Sequence, residues 1–144
     1  MKTNVQLPPQ NPAHNADKDK TTILLVDDSE ILRHVYAKVL LKTGYGVVEA
    51  CGAEDALVHL LDGLAVGLLL TDYRMPGMNG RIFAEWFQGY SPHVPVVLMS
   101  LEPESIGPPK EDLSWLHIHQ KPSSEEELLK LVRGALGDGQ SGGR

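Results

Sequence analysis

Three apolar runs constrain this chain more than anything else in its 144 residues. Ile23-Leu24-Leu25-Val26, Val66–Thr71 and Val94–Met99 lack the apolar–polar alternation of a strand with one wet face. Runs of this kind belong to strands covered on both sides, as in parallel sheets. Between them, apolar residues recur at helical spacing. Ser29 stands as an N-cap before Ile31, Leu32, Val35, Tyr36, Val39 and Leu40, and Gly44 marks the stop. Ala53, Ala56, Leu57, Leu60 and Leu61 form one face of a helix over 53–62. Gly80 opens another helix, carrying Ile82, Phe83, Trp86 and Phe87.

Val47-Val48 and Trp115–Gln120 complete a set of five strands. Ser123 and Glu126 are spaced as a capping box for a last helix that buries Leu128, Leu131, Val132 and Ala135. The stretch 101–114 contains Pro103, Gly107, Pro108 and Pro109, which leave room for only a turn or two. A shortened or irregular fourth helix is therefore expected there. Strands alternating with helices imply parallel pairing through right-handed crossovers. The expected fold is α/β, a doubly wound five-stranded parallel sheet of order 2-1-3-4-5. In such sheets ligands bind beyond the carboxyl ends of the strands, where the strand order reverses.

That location makes the ends of the apolar runs the residues of interest. The first strand ends in Asp27-Asp28, the third in Asp72, the fourth in Ser100 and the fifth in Lys121-Pro122. Three clustered carboxylates repel one another and call for a cation, and a hard divalent ion such as Mg²⁺ suits an all-oxygen donor set. A hydroxyl and an ammonium aimed at the same spot describe a cradle for phosphoryl oxygens. A carboxylate can itself accept a phosphoryl group as a nucleophile. Asp72, at the end of the central strand and followed by the turning loop Tyr73-Arg74-Met75-Pro76-Gly77, is the best-placed acceptor.

Asp27-Asp28, DYRMPGMNG, Met99-Ser100 and QKP at 120–122 together resemble the receiver domain of two-component response regulators, over about residues 21–136. Each piece alone is common; in this order, at strand ends, they are specific. The resemblance implies a flavodoxin-like receiver fold with Asp72 as phosphoacceptor. It implies Mg²⁺ held by Asp28, Asp72 and the backbone carbonyl of Arg74, with Asp27 acting largely through water. Ser100 and Lys121 would bind the phosphoryl oxygens, and the Lys121–Pro122 peptide would be cis. The phosphate donor would be a sensor histidine kinase or a histidine phosphotransfer protein. The chain would act as a conformational switch or phosphate relay on an unknown downstream protein target, without an output domain. Its chemistry would be self-modification, so no enzyme in the usual sense is expected.

Two positions depart from the family pattern. Ile118 stands where receivers carry a switching Tyr or Phe, and Leu101 replaces the customary small residue after the hydroxyl of Ser100, where it is expected to narrow access to the acceptor. A receiver that binds partners without phosphate is the structural alternative. Other classes fit less well. A flavin protein of the same topology would want Ser, Thr and Gly after the first strand, and a dehalogenase-type phosphatase would want Asp-x-Asp. The Gly-rich nucleotide loops are absent.

The remaining features are plainer. A net charge of −6 argues against a nucleic-acid or membrane surface. The single cysteine, Cys51, fits a reducing, cytoplasmic setting. Residues 1–20 are expected to be a disordered arm, 21–136 the domain and 137–144 a flexible tail. A monomer or weak dimer is expected. His117 and His119 share one face of the fifth strand and read as a solvated edge. Met75 and Met78 read as loop packing, and Trp86 and Trp115 as core or interface anchors.

Overall fold

In the computed structural model residues 20–106 and 115–137 are described. Residues 1–19 of the arm, 138–144 of the tail and the prolines at 108 and 109 lie outside them. The elements run β1 (Thr22–Val26), α1 (Glu30–Thr43), β2 (Gly46–Ala50), α2 (Ala53–Leu61), β3 (Leu68–Asp72), α3 (Gly80–Tyr90), β4 (Val96–Ser100), β5 (Leu116–Gln120) and α4 (Glu125–Leu136). Among the described residues, a 3-10 turn at Pro103–Ser105 follows β4 in place of a regular helix. The sheet is parallel throughout, in the order β2-β1-β3-β4-β5.

The unbroken apolar runs are buried on both faces, as their composition requires. Ile23 and Leu25 of β1 face α1 and α4, packing with Tyr36, Leu40, Leu128 and Val132. Their neighbours Leu24 and Val26 face α2 and α3, packing with Ala56, Leu60, Phe83 and Phe87. Successive side chains of one strand thus feed two separate cores. Helix ends follow local chemistry. The Ser29 hydroxyl accepts from Leu32 N–H at 3.3 Å, and Gly44 closes α1 in the left-handed region at φ 111°. Among the described residues no helix is long and apolar enough to cross a membrane.

Several expectations shift by a residue or two. β3 and β4 each begin two residues later than their apolar runs. Pro95 stays outside β4, and its carbonyl accepts from Leu69 N–H at 3.1 Å. The cap of α4 is Ser124, not Ser123. Its hydroxyl accepts from Glu127 N–H at 3.1 Å, while the Glu127 carboxylate accepts from Ser123 N–H at 2.8 Å. Ser124 holds the extended backbone an N-cap needs, which moves the box by one position. Ile31 and Val35, placed on the apolar face of α1, are 77% and 51% exposed. The buried face of α1 is narrower than its apolar stripe. Leu61 of α2 also projects outward.

Candidate functional site at the carboxyl ends of the strands

Parallel strands of similar length deliver their last residues to one rim, and the register shows how closely. Asp72 stands opposite Met99, Ser100 opposite Gln120, and Val26 opposite both Ala50 and Thr71. The chain then turns at each strand end. Asp27 is fully buried; its carboxylate accepts from Ser29 N–H at 2.9 Å and from Lys121 Nζ at 3.2 Å. Asp28, the next residue, is exposed. Asp72 is 5% exposed, and its carboxylate lies 3.4 Å from the same lysine nitrogen.

One carboxylate oxygen from each of Asp27, Asp28 and Asp72 lies within 4.8 Å of the others. Among the described residues Lys121 pairs with Asp27 and Asp72 while Asp28 stands exposed beside them, so the cluster carries excess negative charge. Burial pushes the Asp72 carboxyl up to about 6; the charge on Asp27 adds to this, and Lys121 opposes it. The donors are all oxygen, with neither imidazole nor thiolate, which fits a hard cation and disfavours a softer one. Beside the acids opens a groove of about 520 Å³ lined by Asp28, Tyr73, Arg74, Met75, Pro76 and Asn79.

Gly80 explains how the loop after Asp72 closes so tightly. Its N–H donates to the Tyr73 carbonyl at 2.8 Å, and a Cβ there would fall on the Asp72 carbonyl oxygen and 2.8 Å from Leu98 Cδ1. Only glycine lets α3 begin this close to the strand end. Asn79 caps α3 by accepting from Ile82 N–H at 3.0 Å.

Lys121 reaches the acids from a strand-end turn tied to β4, its own N–H donating to the Ser100 carbonyl at 2.9 Å. Ser100 is 2% exposed, and its hydroxyl accepts from Glu102 N–H at 3.0 Å, which orients the serine at the rim. Arg74 stands in the exposed loop with Asp28 across the groove. Leu101, expected to narrow access to Asp72, is 71% exposed. The cis peptide expected between Lys121 and Pro122 is not found; among the described residues every peptide bond is trans. Trans is the lower-energy form of an X–Pro bond. His117 is half-buried and His119 exposed on the edge strand, with their rings stacked.

Two residues near the site escaped the sequence reading. Arg33 of α1 donates to the Asp27 carbonyl at 2.8 Å and to the Glu49 carboxylate at 3.0 Å, tying the ends of β1 and β2 together. Tyr36, buried on α1, donates its hydroxyl to the Pro122 carbonyl at 3.1 Å. Both lay within a helical pattern that accounted for them as ordinary surface and core positions.

The family model described as "Response regulator receiver domain" matches residues 23–133. The two-component response regulator ORR6 of Oryza sativa subsp. japonica is 40% identical over 117 residues, covering 77% of this chain and 63% of that protein. The response regulator protein FleR of Pseudomonas aeruginosa is 37% identical over 78 residues, or 54% of this chain and 16% of that protein. This chain therefore spans less than two thirds of the length of either relative. A response regulator receiver protein from Sinorhizobium medicae superposes with a TM-score of 0.69 at 28% identity, covering 83% of this chain and 97% of that one. The chemotaxis protein CheY4 of Vibrio cholerae gives 0.70 at 26% identity, with 81% and 99% covered. With the flavodoxin-like order of strands and the acid cluster at their carboxyl ends, these matches make the chain a member of the response regulator receiver domain family.

Proposed function

We propose that Asp72 accepts a phosphoryl group from the phosphohistidine of a sensor histidine kinase or histidine phosphotransfer protein. The observation that carries this reading is the Asp72 carboxylate itself. It is buried at the end of the central strand, within 4.8 Å of two more carboxylates and 3.4 Å from an ammonium. In the transfer an Asp72 Oδ–P bond forms as the donor's N–P bond breaks, and the departing imidazole takes up a proton. Lys121 moves from its carboxylate partners to a phosphoryl oxygen, and the Ser100 hydroxyl donates to another.

The carboxylates of Asp27, Asp28 and Asp72 and the Arg74 backbone carbonyl would hold Mg²⁺, Asp27 chiefly through water. When bound, the ion supplies positive charge that offsets the phosphoryl oxygens. The chain modifies itself and turns over no separate substrate, so its role is that of a switch or relay acting on a downstream protein.

Intact-mass spectrometry after incubation with acetyl phosphate tests this. One labile phosphate is expected on the wild type with Mg²⁺, none without it, and none on Asp72→Asn. If acetyl phosphate and phosphoramidate both leave a folded wild type unlabelled, the acid cluster serves docking instead.

A further inference from the structure

The turn that carries Lys121 is held at both ends. On one side the Lys121 N–H donates to the Ser100 carbonyl at 2.9 Å, a bond to the neighbouring strand. On the other, the Pro122 carbonyl accepts from the Tyr36 hydroxyl at 3.1 Å, a bond to a helix 86 positions away in sequence. Proline has no N–H of its own to anchor the segment. Tyr36 is 5% exposed and belongs to the apolar cluster that includes Ile23, Leu25, Val97 and Met99, so its side chain has little freedom to move elsewhere.

A buried phenol needs a hydrogen-bond partner, and among the described residues the Pro122 carbonyl serves as one. Burial, with the charges of Asp27 and Asp72, pushes the Tyr36 hydroxyl up to about 12, so it remains a donor throughout the physiological range. The hydroxyl-bearing aromatic that reaches this turn thus comes from α1, while β5 offers Ile118.

We propose that Tyr36 is a positioning residue for Lys121: by holding the Pro122 carbonyl it seats the ammonium between Asp27 and Asp72 and couples that seat to α1. The ammonium stands at 3.2 and 3.4 Å from the two carboxylates, and the carbonyl that the tyrosine holds belongs to the very next residue, Pro122. Release of the Pro122 carbonyl loosens the lysine without removing any group that touches the acceptor. This inference rests on the phosphoacceptor reading for its consequence in transfer, and on geometry alone for the coupling.

The test is a double-mutant cycle on the full chain, using Tyr36→Phe and Lys121→Ala singly and together. The first readout is the rate of phosphoryl uptake from acetyl phosphate with Mg²⁺, followed by intact mass. Tyr36→Phe should slow uptake about tenfold, the worth of one hydrogen bond, with the donor concentration for half-maximal rate unchanged. In the Lys121→Ala background the same substitution should change the rate less than about twofold, a difference of roughly 0.4 kcal/mol or less. An equal slowing in both backgrounds would mean that Tyr36 supports the fold only, and would overturn the proposal.

The second readout is urea unfolding of the metal-free protein, which involves no phosphate. Non-additive shifts in the midpoint support the coupling and additive ones refute it, even if no donor labels the wild type and the phosphoacceptor reading fails. Should Tyr36→Phe not fold, 3-fluorotyrosine at position 36 takes its place in both cycles. It keeps the ring and strengthens the donor, so uptake should rise with Lys121 present and stay level without it.

Discussion

Burial raises the Asp72 carboxyl to about 6, and the direction of that shift dictates how stability depends on pH. The folded state holds this proton more tightly than the unfolded chain, whose carboxyl titrates near 3.8. Its contribution is therefore fully present below about pH 4 and is lost as pH rises through 6. Above that, the ionised, buried Asp72 costs the metal-free protein on the order of 1–3 kcal/mol. Asp72→Asn keeps the shape without the charge. In urea unfolding with a chelator present, it should be more stable than the wild type at pH 7.5 by about that amount and nearly equal at pH 4. A lower midpoint at pH 7.5 would mean that the pairing with Lys121 outweighs burial. Gly80 is the other residue whose identity the site dictates. An alanine there collides with the Asp72 carbonyl and Leu98, so Gly80→Ala should destabilise by about 1–3 kcal/mol, read in the same experiment. No change would mean that the start of α3 gives way freely.

At the scale of elements, α4 is where local chemistry can be assayed cleanly. Ser124 accepts from Glu127 N–H, and Glu127 reaches back to Ser123, so the two serines do unequal work. Ser124→Ala should lower stability by about 1 kcal/mol, whereas Ser123→Ala loses only a hydroxyl contact to Glu127 on an exposed surface. Comparable losses from the two would place the start of the helix elsewhere. The same logic extends to α3, whose exposed Ile82, Trp86 and Tyr90 form a stripe with Trp86 and Tyr90 stacked at 5.1 Å. Tyr90 anchors that stripe to α2 through the Leu60 carbonyl at 3.1 Å. Trp86 is thus a surface aromatic, while Trp115 packs partly against the core beneath α2 and α3.

For the molecule as a whole, a ligand that binds only the folded state raises its stability by mass action. Mg²⁺ at ten times its dissociation constant should stabilise the protein by about 1.4 kcal/mol at pH 7.5. The gain should shrink at pH 5, where Asp72 is largely protonated and protons compete for the oxygen donors. It should also shrink in Asp28→Asn, which leaves the buried pair of Asp27 with Lys121 intact. Thermal melts across a Mg²⁺ titration measure both effects. A stabilisation equal at the two pH values and in the variant would place the ion elsewhere on this acidic surface.

The alternation of continuous apolar runs with helical periods was sufficient to imply five parallel strands and one rim on which Asp27, Asp28, Asp72, Ser100 and Lys121 meet; the order 2-1-3-4-5 was one arrangement that fits this alternation, and the structure shows it. A helix between successive strands carries the chain back to the end where the last strand began, so all the strands run the same way and their carboxyl ends gather on one side. Other outcomes lay beyond any periodicity. Asp27 and Asp28 are neighbours in sequence, yet one is sealed in and the other exposed, because the turn after β1 sends them to different environments. The narrow buried face of α1, the Arg33 bond to the Asp27 carbonyl and the Tyr36 bond to Pro122 depend on how α1 sits against the sheet and against α4. Contacts between residues this far apart are set by packing and register, which the pattern of a single helix does not encode.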